Sequence, residues 1–98
     1  MALNSTAALI DTQAGLVAGV AIDAATTVQK AIVLPTPYPT SIDRVFLTLR
    51  EPTEQDAVFG GVWTTAETKD GFTVNVKVTT ASATAGATVN VGWQTVGH

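Results

Sequence analysis

Apolar and polar residues alternate with a period of two along the last third of the chain. The alternation runs from Gly71 to Val78 and again from Ala87 to Trp93. This pattern is typical of β-strands that rest one face on a core. The connection between them, residues 79–86, consists of Thr, Ala, Ser and Gly alone. The sequence therefore predicts two half-buried strands joined by a loop that bears no catalytic or metal-binding chemistry.

Four more strands are predicted before this pair. They span Leu16–Asp23, Thr27–Leu34, Arg44–Arg50 and Ala57–Thr65. In the third of them, Phe46 is expected to lie on the face that points away from the core. The prolines of residues 35–39 cannot donate to a strand ladder, which predicts a corner between sheets. The pair Gly60-Gly61 predicts a bulge in the fourth strand.

Six strands with turn signals between them, and no helical stripe of ten residues, predict an all-β fold. The expected architecture is a six-stranded antiparallel β-sandwich over residues 16–98, preceded by an N-terminal arm over residues 1–15. The predicted core consists of Val20, Ile22, Ile32, Leu34, Val45, Leu47, Leu49, Val62, Phe72, Val74, Val76, Val78, Val89, Val91 and Trp93.

The arm has no sustained period of either kind. Its apolar residues are the candidate contacts with a partner, and they are Leu3, Ala7, Ala8, Leu9 and Ile10. One interpretation is a strap that adds a strand or a short helical turn to a neighbouring subunit. The other is a frayed terminus with a little helix.

Composition and charge exclude several classes of function. Hydrophobic residues make up 46% of the 98 residues and charged residues only 13%, so much of the exterior must be small and uncharged. The net charge of -3, with isolated Lys and Arg residues, gives no basic field for nucleic acid or for an anionic membrane. The absence of Cys removes disulfides and thiolate sites. The first ten residues predict neither a signal peptide nor a membrane span.

Side chains that can carry chemistry are scattered. The aspartates Asp11, Asp23, Asp43, Asp56 and Asp70 lack the spacing of successive calcium ligands, so they are interpreted as solvated turn residues. The carboxylates of residues 51–56 are interpreted as a polar loop tip. His98 is terminal, and nothing next to it in the sequence can orient it against a nucleophile. We therefore expect no enzyme activity, no cofactor and no metal.

The order of elements resembles the H-type lectin domain. The resemblance rests on Pro37-Tyr38-Pro39, the strand over residues 44–49, the Gly-Phe strand over residues 70–74, and the closing strand over residues 89–97, in which Trp93 precedes Gly97. It implies a six-stranded antiparallel sandwich that associates side by side into a trimer. The family includes secreted animal lectins and domains on bacteriophage virions.

The resemblance also places the positions at which sugar-binding members recognise their ligand. Those positions fall near Phe59 and at Thr79-Thr80, where the family's cationic residue, aromatic residue and His are missing. Glycan binding in the family's manner is therefore not expected, because fold and site are separable. The tryptophans Trp63 and Trp93 are interpreted as core or trimer-axis residues in preference to ligand platforms.

The expected function is that of a non-enzymatic structural protein of a bacteriophage virion, a trimeric capsid decoration or cement protein. Its expected partners are two further copies of itself, through Phe46, Phe59 and Trp63, and the major capsid protein, through the arm. The expected location is the virion surface, after production in the host cytoplasm. The alternatives are the receptor-binding tip of a tail fibre or baseplate, and a free carbohydrate-binding lectin with a glycan as partner.

Overall fold

Strands account for all of the regular structure in the part of the chain that the computed structural model describes, residues 11–98. They are β1 (Asp11–Ala21), β2 (Thr27–Val33), β3 (Ile42–Arg50), β4 (Val58–Thr68), β5 (Gly71–Thr80) and β6 (Thr88–Gly97). The prediction of an all-β fold is confirmed. Within the same residues, no helix is long and apolar enough to cross a membrane.

The six strands form two antiparallel sheets of three. One sheet has the order β1-β6-β3 and is called sheet A; the other has the order β2-β5-β4 and is called sheet B. Side chains from both sheets meet in one apolar cluster, which is a sandwich-like arrangement. β5 and β6 are the central strands, and each of the other four has one edge without a strand partner among residues 11–98.

The central strands supply most of the buried core because both of their edges are paired and one of their faces is covered. Alternate residues of β5 and β6 are buried, namely Phe72, Val74, Val76 and Val78 in β5, and Val89, Val91 and Trp93 in β6. Predicted core residues on the edge strands β2, β3 and β4 are only partly buried, namely Ile32, Val45, Leu47, Leu49 and Val62. The predicted faces are therefore correct, and burial is shallower on β2, β3 and β4, whereas Val20 on the edge strand β1 is fully buried.

Tyr38 belongs to the core although the sequence analysis does not place it there. Its ring is 3% exposed, and its hydroxyl is hydrogen-bonded to Thr95 Oγ1 at 2.7 Å. A Cβ at Gly97 would lie 2.6 Å from this ring, so the close approach requires glycine there. The prolines of residues 35–39 form a corner, as predicted, and that corner inserts an aromatic side chain beneath sheet A.

The first strand begins earlier than predicted. Asp11 pairs with Gly97, and the pairing continues to Gly15 opposite Trp93. Residues 11–15 therefore belong to sheet A, and the prediction that they are part of the arm is wrong. The remaining arm, residues 1–10, lies outside the described residues, and so do all five candidate contacts Leu3, Ala7, Ala8, Leu9 and Ile10.

Other strand boundaries differ from the predicted ones by one to three residues. β4 continues to Thr68, past a register shift between Thr65 and Thr68 where Ala66 has a φ of 53°. β6 continues to Gly97, past the apolar alternation that ends at Trp93 and as far as the closing strand of the lectin resemblance. The bulge predicted at Gly60-Gly61 is confirmed by a register shift between Phe59 and Gly61.

The two tryptophans give a matched test of the core. Trp93 is 7% exposed and meets Phe72 edge to face, with ring centroids 5.6 Å apart, whereas Trp63 is 41% exposed. We expect Trp93→Ala to lower the free energy of unfolding by about 3–5 kcal/mol and Trp63→Ala to lower it much less, as measured by urea denaturation. Equal losses for the two variants would contradict this core assignment.

Candidate functional site

Large hydrophobic side chains are exposed on both sheets. They are Leu16, Val33, Phe46, Val58 and Trp63. Of the three predicted trimer contacts, Phe46 is 50% exposed and Trp63 is 41% exposed, while Phe59 is partly buried against the core. Phe46 lies in sheet A, and the other two lie in sheet B. The structure therefore does not place the three residues on one sheet.

A shallow cleft of about 330 Å³ lies on sheet A. Gly92 of β6 is flanked by Leu16 of β1 and Thr48 of β3, and its missing side chain leaves the depression. A Cβ at Gly92 would lie 3.1 Å from Cδ of Arg50, so the aliphatic stem of that arginine covers the glycine. The cleft is lined by Ala14, Gly15, Phe46, Thr48, Arg50, Gly92, Trp93 and Gln94.

A second cleft, of about 350 Å³, opens between the edge strands β3 and β4. Its lining is mainly apolar and consists of Val45, Leu47, Val62, Trp63 and Thr64. β3 and β4 belong to different sheets and share no ladder, so the core is incompletely covered along this side. Sequence alternation predicts the inward residues but not the opening, because the opening depends on which strands end up at the edges.

A polar network crosses sheet B on the face away from the core. Asn75 of β5 is 1% exposed, and its Oδ1 accepts a hydrogen bond from Gln29 Nε2 of β2 at 2.9 Å. Its Nδ2 donates to Thr65 Oγ1 at 3.1 Å and to the carbonyl oxygen of Trp63 at 3.3 Å, both in β4. One amide therefore connects all three strands of the sheet. The alternation predicts an outward side chain here and gives no sign that it is buried.

Two aspartates hold the loop between β5 and β6. Asp23 Oδ2 accepts from the N–H of Gly86, and Asp56 Oδ2 accepts from the N–H of Ala83, each at 2.9 Å. The Ala83 bond, with a further one from Ser82, lowers the pKa of the Asp56 carboxyl below 3.8. A lowered pKa means that these bonds stabilise the fold at neutral pH and are lost as the pH falls through the acidic range. Both carboxylates act as loop anchors.

Three further contacts of charged groups are isolated from one another. Asp70 pairs with Lys69 at 3.1 Å, and Glu51 accepts from Asn90 Nδ2 at 3.3 Å. His98 Nδ1 lies 3.0 Å from Asp43 Oδ2, so the structure gives this histidine the orienting partner that the sequence analysis did not expect. Across residues 11–98, no three His, Cys, Asp or Glu side chains gather into a group that could hold a metal ion.

The positions that the lectin resemblance assigns to sugar recognition have structural contacts. Thr79 Oγ1 donates to the carbonyl oxygen of Val58 at 2.9 Å, which joins β5 to β4. Phe59 packs against the core cluster. Among the described residues, the two clefts are candidate surfaces for a partner.

Comparison with known proteins gives no relative. No protein-family model matches the chain, and neither a curated protein nor a solved structure matches it.

The amide network gives a test of what aligns sheet B. We expect Asn75→Asp to lower the free energy of unfolding at neutral pH by about 1–3 kcal/mol, because it replaces two buried donors with acceptors facing Trp63 and Thr65. The deficit should shrink toward about pH 4, where a buried carboxyl regains a proton. The control is Gln29→Ala, which removes an exposed partner and should cost less. Denaturation curves that coincide with wild type would contradict this role for Asn75.

Proposed function

We propose that the protein is a non-enzymatic structural protein of a bacteriophage virion, a homotrimeric decoration or cement protein of the capsid. The observation that carries the proposal is the combination of five exposed large hydrophobic residues with a surface that has few charges. Four apolar residues, Val45, Leu47, Val62 and Trp63, line one cleft, and contiguous apolar surface exposed to water is characteristic of proteins that are covered by a partner. An assembly of copies on a shell supplies such a cover.

The low charge of the chain supports the same conclusion. Only 13% of the residues are charged. Within residues 11–98, the ion pair of Lys69 with Asp70 and the hydrogen bond between His98 and Asp43 are partly exposed single contacts. A surface with few charges loses little hydration when it is buried against another protein. The proposed partners are two further copies of the chain and the major capsid protein. The resemblance to the H-type lectin domain is consistent with a trimer on a virion.

A second candidate function is supported by the cleft on sheet A. Phe46, Arg50 and Gln94 line it together, and Arg50 forms no ion pair within the described part of the chain. An aromatic ring beside planar hydrogen-bond donors suits the apolar face and the hydroxyls of a sugar. This combination supports the alternative of a receptor-binding tip on a tail fibre or baseplate, or of a lectin.

The first prediction from this proposal concerns the oligomeric state. We expect light scattering at micromolar concentration to give a mass of roughly three times the 10.1 kDa of one chain, because trimer closure buries apolar surface that a monomer would expose. A stable monomer over the accessible concentration range would contradict the trimer.

The second prediction separates the two functions. We expect the protein to sediment with undecorated capsid shells and to give no reproducible signal on a glycan array. Phe46→Ala and Arg50→Ala, which alter the cleft on sheet A, serve as matched variants. Array signals that vanish in both variants, together with no binding to shells, would favour the receptor-binding alternative.

A further inference from the structure

The four edge strands of the sandwich differ in how well they are protected against pairing. An exposed edge presents unpaired N–H and C=O groups and is a template for another strand, and bulges or inward charges prevent such pairing. β1 has a register shift between Val17 and Val20, with Gly19 at a φ of 72°. β4 has three register shifts. β2 places Lys30 opposite Val74, on the core side of the strand.

β3 alone has no such protection along most of its length. After a register shift between Ile42 and Arg44, it pairs regularly with β6 as far as Arg50. Its central residues 45–49 contain no charge, Gly or Pro. Val45 and Leu47 line the cleft between β3 and β4, and Phe46 is exposed on the other face. The free edge of β3 is therefore regular and uncharged between Arg44 and Arg50, with apolar residues on the cleft side and Phe46 and Thr48 on the other.

We propose that the free edge of β3 binds residues 1–10 of a second copy of the chain as an added strand. This inference rests on the proposed function, since it specifies how the copies of the homotrimer join. The backbone groups of the added segment would pair with those of β3, and its apolar side chains would cover Val45 and Leu47 on one face or Phe46 on the other.

The chemistry and length of residues 1–10 fit this edge. The segment contains no charged residue, and its apolar residues include Leu3, Leu9 and Ile10. The regular part of β3, Arg44–Arg50, is about 23 Å long at the rise of an antiparallel strand. Ten extended residues span roughly 33–36 Å, which is enough to cover that part completely and to leave a connection to β1.

The position of Asp11 favours pairing of residues 1–10 with β3 of another copy over pairing with β3 of the same copy. Asp11 and Ile42 both pair with Gly97, on opposite sides of β6. To reach the free edge of β3 in its own subunit, the chain before Asp11 must cross three strand spacings, about 14 Å. This crossing uses about four or five of residues 1–10. The residues that remain are too few to cover Arg44–Arg50.

Pairing of β3 with β3 of a second copy is less favourable in the register centred on Leu47. That register sets Arg44 opposite Arg50 of the partner subunit, and like charges directly opposite each other destabilise a strand pair. A segment that donates a strand to a different surface makes a head-to-tail contact. Such contacts form a ring when the rotation between subunits closes, and a trimer is a ring of this kind.

The first experiment uses the fact that the chain has no Cys. Thr48→Cys, on β3, is combined with single cysteines introduced in turn at residues 3–9, and the purified proteins are oxidised and run on a denaturing gel. We expect some combinations to give covalent dimers and trimers. The matched control is Ala31→Cys, an exposed position on the protected strand β2, which should give none with the same arm cysteines.

Three results of the crosslinking would overturn the inference. Dimers formed by Thr48→Cys alone would show that β3 pairs with β3. A disulfide that forms while the protein still runs at the mass of one chain would be intramolecular. It would show that residues 1–10 lie against β3 of their own subunit. Equal crosslinking of the Ala31→Cys control would show that the contact is not specific to β3.

The second experiment removes residues 1–10. Because β1 begins at Asp11, we expect circular dichroism to retain the β signal while light scattering shows the mass falling by a factor of about three. A truncated protein that remains a trimer would overturn the inference and leave the proposed function intact. A full-length protein that is monomeric throughout would contradict both.

Discussion

The packing of β5 against β6 is the contact on which the rest of the structure depends. These are the only strands within residues 11–98 that are paired on both edges, and they bring together Phe72 and Trp93 at a centroid distance of 5.6 Å. The hydrophobic stabilisation of a fold is roughly proportional to the apolar area removed from water. The central strands therefore contribute most of that stabilisation. Because six strands are divided into two sheets of three, four of them are edge strands. This division explains why edge strands are partly buried and why a cleft opens between β3 and β4.

Buried polar groups connect the central strands to their surroundings. The buried polar residues of the described chain are Asn75, Ser82 and Thr95. Asn75 joins β5 to both of its neighbours, Thr95 joins β6 to Tyr38 in the proline corner, and the N–H of Ser82 donates to the carbonyl oxygen of Ile22. Apolar packing is not directional, whereas a buried hydrogen bond is costly to leave unmade. These three residues therefore favour one alignment of strands and loops over others.

The sequence predicts the strands well where both alternation and composition indicate them, as in β3, β5 and β6. The start of β1 is missed because residues 11–15 carry no apolar alternation, and their strand conformation comes from pairing with β6, a tertiary contact. Tyr38 is missed because prolines on both sides resemble an exposed corner. For the candidate site, alternation predicts that Phe46 points outward. The cleft around Gly92 cannot be predicted, because it requires knowing that Leu16 and Thr48, far apart in the chain, flank that glycine.

The place of β6 in the chain has a consequence for how the protein reaches its fold. Among the strands of residues 11–98, β6 comes last in sequence, yet it is the middle strand of sheet A and the one described strand that pairs with both β1 and β3. During synthesis, the backbone groups of β1 and β3 that pair with β6 therefore stay unpaired until β6 has emerged from the ribosome. Most of the contacts in the fold are between residues far apart in the chain, which slows folding. In that interval the regular apolar edge of β3 is open to wrong partners, so the risk of aggregation is concentrated in the nascent chain.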